Sequence, residues 1–370
     1  MCSFSDFGEM GTAFLKEPKT EKTTEDGENK FVKYGISSMQ GWRMEMEDAH
    51  VVRLCSDKNG DGINFFGVFD GHCGEEVALY CSLNLIPCVM AQEEYPDNLP
   101  AALKKSFFAM DENLLDPEKS AELLRDRVSK LRRKTRKQVR CEERDSLERE
   151  VRARMDDANA KGSLSSEEAL SLAEIFSELE EQQQASKRIA AGCTAICATL
   201  QGRKLVVANA GDSRAVLCRK GGIAEAMSFD HKPDNLIERE RICKSGGFVA
   251  QNRVNGQLAM SRAIGDFDFK QNDTLPASEQ AVTCDPDIRE VELEEGDEFI
   301  ILACDGIWDA ISNEGAVRFI RNALRTEQKI STVVSKLLDR CLAETTSDMS
   351  LSTDNMTCIV VVFKPDLFAS

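Results

Sequence analysis

Phe65-Phe66-Gly67-Val68-Phe69-Asp70-Gly71-His72-Cys73-Gly74 is the stretch on which the reading of this chain turns. Its apolar half, rich in Phe and Val, reads as a buried strand, and the strand stops at Asp-Gly-His-x-Gly. A carboxylate at the end of a buried strand is costly unless it meets a cation or a hydrogen-bond donor. Phe299-Ile300-Ile301-Leu302-Ala303-Cys304-Asp305-Gly306 repeats the design far downstream. Two apolar strands, each delivering an Asp-Gly at its C-terminal end, point to two carboxylates held rigidly on one metal site.

Working outward, Phe31–Ser38, His50–Cys55 and Ile63–Asp70 read as strands, and residues 1–30 as a polar lead-in. Asp57-Lys58-Asn59-Gly60-Asp61-Gly62 imitates the start of a calcium-binding EF-hand loop. The twelfth position, which should be a bidentate acid, is Val68, and no flanking helices are evident, so a hairpin turn is the better reading. Helices are expected from Glu75 onward and over Ala101–Leu115. From about 116 to 188 the chain becomes charged and helix-favouring, which marks a helical insertion. Within it Arg125–Arg140 holds nine basic residues against one acid. Ser165-Ser166-Glu167-Glu168 can form a capping box there. The run Lys130-Leu131-Arg132-Arg133-Lys134 reads as a solvated helix face, with a nuclear address or an anionic docking patch as the rival.

Strands resume at Thr194–Leu200, Lys204–Ala210 and Ala215–Arg219, followed by a helix over Asp234–Ser245. Strands at Ile288–Leu293 and Phe299–Ala303, helices at Asn313–Leu324 and Ser331–Ala343, and a strand at Met356–Phe363 complete the pattern. Strand-rich segments separated by helical pairs, without β-α alternation, indicate an α+β fold with sheets packed together and helices outside.

The totals narrow the function. A net charge of −17 over 370 residues disfavours nucleic-acid binding, because the whole-molecule field repels phosphates. No apolar run reaches the ~18 residues of a membrane span. The N-terminus lacks a secretory signal pattern, and Cys2 in place of Gly argues against myristoylation. A cytoplasmic protein, also nuclear if the basic run is an address, is therefore expected, with its 14 cysteines reduced. With no C-x-x-C pair and three His, a zinc site of Cys and His is disfavoured, so metal chemistry here would be oxygen-ligated.

Acids at strand ends or in tight loops supply the candidates: Glu47, Asp48, Asp70, Asp212, Asp305, Asp309 and Asp354. Hard oxygen ligands on rigid strand ends suit magnesium or manganese. Taken singly each could be a solvated loop carboxylate, and spacing alone does not establish that they converge.

The motifs Ser38–His50, Phe69-Asp70-Gly71-His72-x-Gly74 and Gly192-Cys193-Thr194-Ala195 resemble those of the type 2C metal-dependent protein serine/threonine phosphatases. The resemblance continues through Ala208–Arg214, Asp230-His231-Lys232-Pro233-Asp234, Leu258–Asp266, Ala303–Asp309 and Ser352–Thr357. It implies a central sandwich of two antiparallel β-sheets flanked by helices, within a catalytic domain over 31–370 interrupted by the insertion. It implies that Asp70 bridges two Mg²⁺ or Mn²⁺ ions, with the Gly71 carbonyl on one of them. Glu47, Asp48, Asp305 and Asp354 then complete the set, and Asp212 and Asp309 match positions tied to a weaker third ion. Arg43 matches the phosphate-binding arginine and His72 the acid that protonates the departing Ser or Thr oxygen. His50 and His231 read as structural and Trp308 as core. The polar loop Lys270–Val282 is a candidate for a substrate-facing flap. The implied reaction is direct attack of a hydroxide held at the dinuclear centre on phosphoserine or phosphothreonine in proteins. A monomer is expected, with the insertion as a site for a protein partner. Two rivals are a catalytically silent scaffold that binds through the insertion and a hydrolase of small phosphorylated metabolites.

Overall fold

The computed structural model describes residues 14–55, 62–116, 191–348 and 350–369. The expected turn at 57–62 and the charged insertion at 116–188, with its capping box and basic run, lie essentially outside these. The chain divides into two compact units, Met1–Asn113 with Ala190–Ser370, and Leu114–Ile189. The sheets and the candidate site belong to the first.

In chain order the strands are β1 (Phe14–Glu28), β2 (Val32–Arg43), β3 (Ala49–Arg53), β4 (Ile63–Phe69), β5 (Gly71–His72), β6 (Gly192–Cys193), β7 (Ala195–Gln201) and β8 (Lys204–Ala210). Then come β9 (Arg214–Arg219), β10 (Ile223–Ala226), β11 (Val249–Ala250), β12 (Arg253–Val254), β13 (Ile264–Gly265), β14 (Asp287–Glu292), β15 (Phe299–Ala303) and β16 (Met356–Phe363). The described helices are α1 (Glu76–Met90), α2 (Leu99–Leu114), α3 (Leu236–Lys244), α4 (Asp305–Trp308), α5 (Asn313–Ala323) and α6 (Ile330–Cys341).

Two antiparallel sheets form the sandwich: six strands ordered β1-β2-β16-β15-β9-β10, and five ordered β14-β8-β7-β4-β3. One core lies between them, where Phe66, Val68, Ile196 and Val207 of one sheet meet Ile36, Leu217, Ile300 and Ile359 of the other. The residues between these in sequence point the other way. Val216, Phe299, Ile301, Cys358 and Val360 pack under Val317 and Ile320 of α5 and Val334 and Leu338 of α6. Strands buried on both faces carry continuous apolar runs rather than alternation, which is why β4, β15 and β16 are legible from composition alone. On the other side α1 covers β3 and β4.

Beyond short additions such as β10, β11, β12 and α4, the main departures from expectation are these. Residues 14–28 are not a lead-in but β1, the long edge strand paired with β2. Its polar sequence gives no periodic signal because most of its side chains face solvent. It is held from the side by α6, where Asp26 accepts a 2.9 Å hydrogen bond from the Ser331 backbone N–H and a second from its hydroxyl. The small sheet β13-β6-β5 is the other departure, because two-residue strands show no period.

Candidate active site

The register puts every candidate at one end of the sandwich. Ala49 opposes Phe69, Val68 opposes Ile196 and Ala195 opposes Ala210, so Asp48, Asp70 and the Gly211-Asp212 turn leave the five-stranded sheet together. In the other sheet Ala303 opposes both Arg214 and Cys358, and Met356 opposes Met39. Asp305, Asp354 and Arg43 therefore emerge at matching levels.

The loops are fitted backbone against backbone. A Cβ at Gly71 would sit 2.3 Å from the Glu47 carbonyl oxygen, and one at Gly306 2.0 Å from that of Asn355. No side chain fits either place, so the two Asp-Gly pairs are packing requirements. Asn355, 5% exposed, staples the Arg43–Glu47 loop. Its amide donates to the carbonyls of Gln40 (2.8 Å) and Glu45 (2.9 Å), and its oxygen accepts from the Glu47 N–H (2.8 Å).

Asp48 and Asp70 bring carboxylate oxygens, and Cys304 its sulfur, within 4.8 Å of one another. Both oxygens of Asp48 are buried without a hydrogen-bond partner. Burial, reinforced by Asp354 and Glu47 against the opposing influence of nearby Thr357 and Cys304, pushes the Asp48 carboxyl up to about 7. Burial also drives Asp70 and Asp305 far above the usual carboxylate range. Asp70 is raised further by Asp305, Asp48, Asp354 and Asp212, and Asp305 by Asp212, Asp354 and Asp309. Glu47 and Asp309 are raised too, first by burial. This is an acidic cluster that repels itself, with one carboxylate lacking any well-formed hydrogen bond: a donor set of hard oxygens that a divalent cation fits.

Basic side chains line it. Arg43 donates to Asp354 Oδ2 at 2.5 Å, while Asp354 Oδ1 accepts from the Asn355 N–H at 2.7 Å. Burial of Arg43 opposes its charge, but Asp354, Asp305 and Asp70 outweigh this and hold its pKa above the ordinary value. Lys232 donates to Asp212 Oδ2 at 2.5 Å. The half-buried setting of His72 disfavours protonation, yet Asp266, Asp212 and Glu47 raise it overall. Its Nε2 lies 2.8 Å from each oxygen of Asp266.

Of the residues named from sequence, Glu47, Asp48, Asp70, Gly71, His72, Asp212, Asp305, Asp309, Asp354 and Arg43 thus converge. Lys232, Asp266 and Asn355 belong with them although sequence reasoning gives them no role. Each stands in a motif that carries the resemblance, which is the available signal. His231 is structural, with Nδ1 accepting from the Gly211 N–H (3.1 Å) and Nε2 3.1 Å from Asp287, and so it steadies the turn that carries Asp212. Trp308 is core, its indole N–H donating to the Ala303 carbonyl at 2.9 Å. The Lys270–Val282 loop is anchored at both ends. Lys270 pairs with buried Asp111 at 2.8 Å, and Val282 packs with Ile242 of α3.

The family model for protein phosphatase 2C matches residues 32–129 and 122–350. The chain belongs to that family. A "Probable protein phosphatase 2C 21" of Arabidopsis thaliana is 42% identical over 360 residues, covering 96% of this chain and 93% of that one. The segment at 116–188 lies within this likeness. A "Protein phosphatase 2C homolog 2" of Schizosaccharomyces pombe is 36% identical over 354 residues, covering 94% of this chain and 78% of the other. The crystal structure of a phosphatase from Toxoplasma gondii superposes with a TM-score of 0.64 at 22% identity, covering 93% and 96% of the two chains, and shows the shared fold. As a protein phosphatase 2C, the chain is a serine/threonine phosphatase of a metal-dependent family. The silent scaffold is not favoured.

Proposed function

We propose that this phosphatase 2C removes phosphate from phosphoserine and phosphothreonine in proteins at the acidic end of its sandwich. Glu47, Asp48, Asp70, the Gly71 carbonyl, Asp305 and Asp354 would hold two magnesium or manganese ions, with Asp212 and Asp309 serving a weaker third. The observation that carries this reading is Asp48, whose two buried oxygens lack any well-formed hydrogen bond while Asp70 stands beside it. Bound there, divalent ions supply Lewis acidity toward phosphoryl oxygens and lower the pKa of water.

The chain's own groups do the rest. Arg43, steadied by Asp354, presents a planar guanidinium that can grip two phosphoryl oxygens at once. Departure of a Ser or Thr alkoxide needs a proton, and His72, half-buried and raised toward its protonated form, would give it. Asn355 and the close packing of Gly71 on Glu47 hold these groups in register.

The test is hydrolysis of a phosphothreonine peptide with Mn²⁺ and with EDTA. Turnover should require the metal, and Asp70→Asn should lose it by ~10³-fold or more, the scale of removing a group central to transition-state stabilisation. Wild-type turnover by Asp70→Asn would sink the assignment. A sugar phosphate run in parallel should be a poor substrate; equal turnover would favour the metabolite hydrolase instead.

A further inference from the structure

The three-stranded sheet β13-β6-β5 has a register that bears on the proton donor. Gly192 in β6 opposes His72 of β5 on one side and Gly265 of β13 on the other. Asp266 follows Gly265 directly, so its carboxylate must pass over Gly192 to reach the imidazole. It does so closely: a Cβ on Gly192 would lie 2.2 Å from Asp266 Oδ2. Asp266 is 4% exposed and sits at φ +52°, a left-handed conformation that a side chain rarely adopts. Its N–H donates to the Ala191 carbonyl at 3.3 Å, and the Gly265 N–H is held at 2.8 Å by Asp111, itself paired with Lys270. The left-handed backbone, an absent side chain at 192 and a buried ion pair thus all serve to place one carboxylate. Both its oxygens lie 2.8 Å from His72 Nε2. The other ring nitrogen, Nδ1, is buried and has no protein partner.

We propose that Asp266 is a positioning residue for catalysis: it engages Nε2 of His72, fixes the ring, and leaves Nδ1 as the nitrogen that delivers the proton. The inference rests on the reading of His72 as the acid. A water gives up a proton to solvent as its oxygen forms the new bond to phosphorus, and the bond from phosphorus to the Ser or Thr oxygen breaks. The electron pair stays on that oxygen, which takes the Nδ1 proton. His72 is left neutral, with Nε2–H still donating to Asp266, and regains a proton from solvent. Gly192 is part of the same device, because any larger residue would push the carboxylate off the ring.

The experiment compares leaving groups. A phosphothreonine peptide releases an alkoxide that needs the proton, whereas p-nitrophenyl phosphate releases a phenolate that needs little help. kcat and KM are measured with Mn²⁺ for the wild type, Asp266→Asn, Asp266→Glu, Gly192→Ala, His72→Gln and His72→Gln/Asp266→Asn. The expected result is that Asp266→Asn and Gly192→Ala lower kcat on the peptide ~10–100-fold more than on the aryl phosphate, with the loss in kcat rather than KM. Asp266→Glu should recover part of it, and the double variant should be no slower on the peptide than His72→Gln. Equal losses on both substrates, no loss on either, or additive losses in the double variant would overturn the positioning role. If His72→Gln itself loses both substrates equally, the acid reading of His72 fails first, a result distinguishable from failure of Asp266 alone.

Discussion

At the scale of single residues, the site is built by short polar side chains that hold backbone rather than substrate. Asn355 makes three hydrogen bonds to the Arg43–Glu47 loop and its approach from a nearly sealed position. Asn355→Ala should cost ~2–4 kcal/mol, since each orphaned buried partner forfeits ~1 kcal/mol or more. Urea unfolding of the metal-free protein measures it, and a change below ~0.5 kcal/mol, the level of an ordinary surface substitution, would refute the staple. Arg43→Lys keeps the charge but loses the fork that pairs with Asp354 and would grip phosphate. It should lower kcat/KM on a phosphopeptide by ~10-fold or more, the discrimination expected of one lost bidentate contact. The acids of the site are legible because Asp-Gly at the end of an apolar run is a costly local combination. Asp266 and Lys232 are not, because their partners, His72 and Asp212, lie 194 and 20 residues away. Only the folded register brings each pair together.

At the scale of elements, legibility follows burial. β8, β15 and β16 can be read to the residue because both faces are apolar. β1 escapes because an edge strand facing water carries Lys and Glu where a core strand carries Val and Ile. Its lysines suit an edge, since they discourage pairing with another chain. β1 is nonetheless joined to the fold at the start of α6, whose own Lys329 provides no cap. Asp26 performs that task from the neighbouring strand, next to the positive end of the helix dipole. Asp26→Ala should therefore destabilise by ~1–2 kcal/mol, as loss of an N-cap does. Urea titration at neutral pH would show it as a lower midpoint with an unchanged slope.

At the scale of the whole molecule, the sandwich class is readable from strands and helical pairs, but strand order is not, because neighbours in the sheets are often far apart in sequence. The collected charge has its own consequence. Asp48 stands at about 7 in the metal-free fold, against ~4 for an unfolded carboxyl. Between these values the folded state holds a proton that the unfolded state has released, so stability falls as pH rises from ~4 to ~7. Asp70 and Asp305 act in the same direction. The EDTA-treated protein should thus have a higher Tm at pH 5 than at pH 8. Mn²⁺ should raise Tm more at pH 8, where the carboxylates are charged and free of competing protons. A metal-free Tm that rises from pH 5 to pH 8 would contradict the buried cluster. Asp48→Asn, which removes a buried charge, should flatten the slope.

The position of β16 sets the timing of biogenesis. It is inserted between β2 and β15, pairing with both along its length, although it is the last strand described in the chain. A nascent chain therefore carries β2 with one neighbour, β1, but without the other until Met356–Phe363 has been made. Asp354 and Asn355 arrive in the same late segment, so neither the six-stranded sheet nor the acidic site can close until that segment has been made. Such non-local pairing folds slowly and leaves strand edges exposed meanwhile. A ribosome-bound chain stalled before Met356 should accordingly be protease-sensitive throughout β2 and β15, and release of the full chain should protect both in one step.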